Sequence, residues 1–82
     1  MKVVLTQVLN DDHNEFSHLL GTQGEPRHLD DHAVFLPDNT EDWLDMTIDL
    51  IIANNTKLIT ITTTVGHTFF FRKVPTPNHA IP

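Results

Sequence analysis

The sequence predicts a two-layer α+β domain over residues 1–74, followed by an extended, Pro-containing tail over 75–82. Three observations carry the expectation. Residues 40–53 place their apolar side chains at helical spacing. Residues 2–9, 32–36, 58–65 and 68–74 are rich in Val, Ile, Thr and Phe. The elements fall in the order β-α-β-α-β-β, which suits a mixed or antiparallel sheet of about four strands packed by one long and one short helix. A C-terminal hairpin closes it.

Residues 2–9 alternate loosely and read as the first strand. Asn10-Asp11-Asp12 offers an N-cap, Phe16, Leu19 and Leu20 have helical spacing, and Gly21 is a natural stop. That predicts a short helix over about 12–20. Gly24 and Pro26 mark 22–27 as a loop. His32 to Leu36 is a short strand ended by Pro37. Asn39 or Thr40 then caps the long helix, and Asn54-Asn55 terminates it.

The hairpin has a parity constraint. A two-residue loop at Gly66-His67 would put Ile61 opposite Arg72 and mix core with solvent. A three-residue loop at 65–67 puts Ile61 opposite Phe71 and Thr63 opposite Phe69, keeping Phe70 on the Thr-rich face beside Arg72. The expected core is Val4, Val8, Phe16, Leu20, Val34, Leu36, Trp43, Leu44, Ile48, Ile51, Ile59, Ile61, Phe69 and Phe71.

Eighty-two residues allow one small domain, and the absence of cysteine excludes disulfides, thiolate metal sites and a Cys nucleophile. The apolar run at the amino terminus is short and broken by Thr6 and Gln7. No run approaches the ~20 residues that span a bilayer. A cytoplasmic protein without membrane contact is expected. Net charge is −6 and unevenly spread. Residues 3–56 hold all eleven acids against Arg27 alone, and residues 57–82 hold Lys57, Arg72, Lys73 and no acid. Five dispersed cations are too few to neutralise a row of phosphates, so direct duplex binding is disfavoured.

On the predicted long helix, Glu41, Asp42, Asp45 and Asp49 share one quadrant with no interspersed Lys or Arg. Like charges four apart repel by about 0.2–0.5 kcal/mol, so a face of this kind suggests docking on a basic protein surface. A nucleic-acid-binding protein is one such surface. Histidine supplies a second pattern. His28 and His32, with Asp31 or Asp30 between them, have the i, i+4 spacing that could hold a metal ion on a helix, although extended chain would spread them over roughly 13 Å. A metal- or small-molecule-binding domain is the alternative function. Phe70 and Arg72 form a possible exposed aromatic-basic contact, and the hairpin edge leaves a self-associating homodimer open.

Catalysis finds little support. Ser17 is the only serine, and His13 is its one geometrically suitable base, without a third orienting group. The expectation is a non-enzymatic interaction module that requires no cofactor.

Overall fold

A computed structural model describes residues 1–39, 41 and 43–75. The strands are β1 (Lys2–Leu9), β2 (Gln23–His28), β3 (His32–Pro37), β4 (Leu44–Asn54), β5 (Leu58–Thr63) and β6 (Thr68–Val74). Each pairs antiparallel with the next, and β6 returns to β1, so the six close into an up-and-down barrel. Closure spares a small sheet most of its exposed edges. The predicted α+β class is therefore wrong. No helix among the described residues is long and apolar enough to cross a membrane. The expected extended tail lies, apart from Pro75, outside the described residues.

The largest correction concerns 40–53. Instead of a long helix, Leu44–Asn54 forms the longest strand of the barrel. Its pairing with β5 jumps twice. Ile48 faces Thr63 while Leu50 faces Thr62, and Ile51 faces Ile61 while Ala53 faces Thr60. Asp49 and Ile52 are thus extra residues in two β-bulges. Cross-strand partners share a face, so Ile48, Ile51 and Asn54 follow Thr63, Ile61 and Ile59 to the inner side. A strand with a bulge every third residue repeats its inward positions at i, i+3 and i+6. That is close to helical spacing and explains why the segment imitates an amphipathic helix.

The predicted short helix is reduced to one 3-10 turn at Ser17–Leu19. Asp11 still does capping work, its two carboxylate oxygens accepting the N–H groups of Glu15 (2.8 Å) and Phe16 (3.0 Å). Phe16 then seals one end of the barrel, its ring edge-on to Phe69 and His67 at 5.1 Å.

The predicted loop 22–27 is instead strand β2. Gly24 has no side chain because none fits: a Cβ there would lie 2.7 Å from Phe35 Cε1 and against the Leu36 carbonyl. Pro26 is tolerated because β1 pairs β2 only at Gln23 and Gly24, which leaves Pro26 on a free edge.

The β5–β6 loop has the predicted three residues, displaced by one to Thr64-Val65-Gly66. Thr63 N–H donates to the His67 carbonyl, and Gly66 takes φ +94°. Ile61 therefore faces Phe69 and Ile59 faces Phe71. The shift is two positions in pairing, so parity survives.

The core is Val3, Leu5, Leu19, Ala33, Phe35, Leu44, Met46, Ile61, Phe69 and Phe71, with Val8, Phe16, Ile48 and Ile59 packed against it. Val4, Val34 and Leu36 face outward, one residue of alternation away from the core positions of Val3, Ala33 and Phe35. Leu20 cedes its place to Leu19, and Trp43 is 69% exposed just before β4.

Candidate functional site

Two hairpins outreach the barrel wall at the end opposite Phe16. β2 pairs β1 only at its first two residues, Gln23 and Gly24, and β3 pairs β4 only from Leu44 to Thr47. The far ends of the β2–β3 and β4–β5 hairpins therefore rise as two flaps with a gap between them. Each flap is held by its turn. Leu29 N–H donates to the His32 carbonyl (2.8 Å) in one. In the other, Asn55 Oδ1 accepts from the N–H groups of Lys57 and Leu58, both at 2.9 Å.

A cavity of about 280 Å³ opens between the flaps. Its floor is apolar: Ala33, Phe35, Met46, Ile61 and Phe71, most of them core residues. Ile51 and Ile59 form one wall and Pro26 and Met1 the other. Arg27, His28 and Asn54 stand around the cavity as its polar groups. Arg27 and His28 are both exposed; Arg27, opposite Val34, takes the outer face 3.8 Å from the Glu25 carboxylate, whereas His28, opposite Ala33, is on the inner side. The mouth of a barrel is a common place for a ligand site, and this volume is near the lower end of the range such sites span.

The carboxylates read from sequence are arranged otherwise than on a helix. Glu41 is exposed in the β3–β4 connection, and Asp42 lies outside the described residues. Asp45 is exposed on the outer side of β4 opposite Val34, and Asp49 is exposed at the first bulge. Four strand residues separate them by on the order of 13 Å. The row of acids one helical turn apart does not exist. Neither Asp45 nor Asp49 has a cation within ion-pairing distance among the described residues.

The histidine pattern also comes apart. His28 is opposite Ala33 in the ladder and borders the cavity, whereas His32 is opposite Thr47 on the outer face. His32 Nδ1 is 2.9 Å from Asp31 Oδ1. His28 and His32 thus lie on different faces, and no cluster of three potential metal ligands occurs among the described residues. Ser17 Oγ donates to the Asn14 carbonyl at 3.0 Å. Phe70 and Arg72 do share the outer face, where Phe70 is half-buried between Thr60 and Gln7 and Arg72 is exposed between Leu58 and Val4.

Sequence reasoning missed the mouth itself. In the sequence Arg27 is a lone cation within an acidic stretch, and Pro26 marks a loop. The available signal was the run Asp49 to Asn54, whose apolar residues are too continuous for a half-exposed strand with regular alternation.

Comparison with known proteins leaves the geometry to speak for itself: no family model matches the chain, and no curated protein or solved structure is significantly similar to it.

Proposed function

We propose that this chain is a non-enzymatic binding module whose open barrel end takes a small apolar ligand with a hydrogen-bond-accepting head. One observation carries the reading. Five strands and Met1 together line a cavity of about 280 Å³ with an apolar floor and with Arg27 and His28 beside it. Apolar surface left open at the end of a core favours burial of a ligand at about 25 cal/mol per Å² removed from water. His28, opposite Ala33 on the inner side, supplies a ring N–H donor for such a head.

A titration of labelled protein with octanoate, followed by amide chemical shifts, tests this. Saturable shifts are expected at Ile51, Ile59 and Phe71. Ala33→Leu, which fills the floor, should remain folded and lose them, and His28→Ala should weaken binding severalfold. Shifts scattered over the surface, or identical titrations of wild type and Ala33→Leu, would contradict the proposal.

A second reading keeps the acidic surface as the site. Asp45 and Asp49 are both exposed on β4 without a cation partner among the described residues, which supports docking on a basic protein surface. Its test is capture of a partner by wild type, released by moderate salt and lost in a folded Asp45→Lys, Asp49→Lys variant.

A further inference from the structure

Strand β4 is paired on both sides only in its first half. The ladder to β3 ends at Thr47, and the Asp31 carbonyl extends it by one bond, accepting from Ile48 N–H at 2.9 Å. From Asp49 to Asn54 the strand pairs with β5 alone, so the other edge presents its backbone groups to solvent. This edge is also apolar. Leu50 is 58% exposed, Ile52 57% and Ile51 41%. Natural edges are commonly blunted by Lys, Pro or bulges; here there is no Lys or Pro, and only the bulges are present.

We propose that this edge pairs with the same edge of a second copy, antiparallel, about a two-fold axis at Ile51. Two features of the strand select a second copy. The first is the symmetry of its apolar surface. The exposed apolar residues Leu50, Ile51 and Ile52 are centred on Ile51. A two-fold pairing there sets Leu50 opposite Ile52 of the other copy and Asp49 opposite Ala53, all within the stretch that β3 leaves free. The apolar side chains of the two edges then meet. An isologous contact of this kind is the commonest route to a homodimer.

Charge is the second feature. The start of the free edge is acidic, with Asp49 on it and Asp30 and Asp31 in the adjoining β2–β3 turn, while the far end leads into the turn that carries Lys57. Antiparallel pairing lays the Lys57 turn of each copy against the Asp30-Asp31 turn of the other. A parallel arrangement would set Asp49 beside Asp49. Like charges directly opposed destabilise a ladder.

Sedimentation equilibrium over a concentration series in low salt tests the proposal, using wild type, Ile52→Lys and Lys57→Glu, each first shown to be folded by circular dichroism. Ile52 is chosen because it does not line the cavity. Wild type should show a monomer–dimer equilibrium that weakens with added salt. Ile52→Lys should weaken the dimer at least about tenfold, which is about 1.4 kcal/mol, and Lys57→Glu should weaken it less. A wild type that stays monomeric to the highest concentration overturns the proposal. So does a dimer that Ile52→Lys leaves intact, or an open ladder of ever larger species.

Discussion

Ile51 on β4 stands directly opposite Ile61 on β5, both on the inner side of the barrel, yet Ile61 is buried and Ile51 is 41% exposed. The difference marks where the core ends and the cavity begins. Ile61 is walled in by Phe69 across the next ladder, whereas β3 has already left Ile51 uncovered. Replacing Ile61 with Ala should therefore cost about 2–5 kcal/mol, as for a buried aliphatic residue, and Ile51→Ala much less. Urea denaturation of the two variants measures the contrast. Equal losses would mean that Ile51 is core and the barrel end is shut.

Gly24→Ala should be severely destabilising for its small size. The added methyl meets the Leu36 carbonyl and the ring of Phe35, which is itself fully buried. Overpacking of this kind costs about 1–3 kcal/mol. Near-neutral stability in a thermal melt would show that β2 and β3 are not packed as described.

Asn55→Ala removes the acceptor of two turn bonds in the β4–β5 flap. The expected loss is about 0.5–1.5 kcal/mol per net hydrogen bond. It should appear first as faster amide exchange at Leu58 and Asn54, with the barrel ladders around Phe35 unchanged.

Lys2 Nζ donates to Asp38 Oδ1 at 2.5 Å, tying β1 to the segment after β3. This hydrogen bond, and the Asp38 charge, hold the Lys2 ammonium above its ordinary lysine value. Because the folded state binds this proton more tightly, its contribution is complete below the unfolded lysine pKa and fades as pH rises through the folded value. The difference in Tm between wild type and Asp38→Asn should therefore be small and flat between about pH 6 and 9, and should shrink in alkali. A difference that grew with alkaline pH would contradict the pairing.

How much of this was legible in the sequence depended on bulges and edges. The β5–β6 hairpin was readable because Ile59, Ile61, Phe69 and Phe71 alternate without interruption, and parity alone fixed which aromatic rings face inward. The first half of β4 was readable in principle, since Leu44, Met46 and Ile48 alternate. Two bulges then convert the period from two to three, and Asp49 and Leu50 land where a helix would have them. β2 was missed because Gly24 and Pro26 are loop residues by propensity. Their use here follows from tertiary crowding at one and a free edge at the other, neither of which is encoded locally. The carboxylates of β4 were visible, but their arrangement in a row required the helix. The mouth depends on which strands stop pairing early, a property of long-range register that no short pattern records.

A bulged β4 brings Ile51 over the barrel interior. Methyl-resolved nuclear Overhauser spectroscopy tests it most directly. Contacts between the methyl groups of Ile51 and Ile61, with extended backbone shifts over 44–54, are the predicted result. Sequential helical contacts between residues i and i+3 across 44–53, with no Ile51–Ile61 contact, would contradict it.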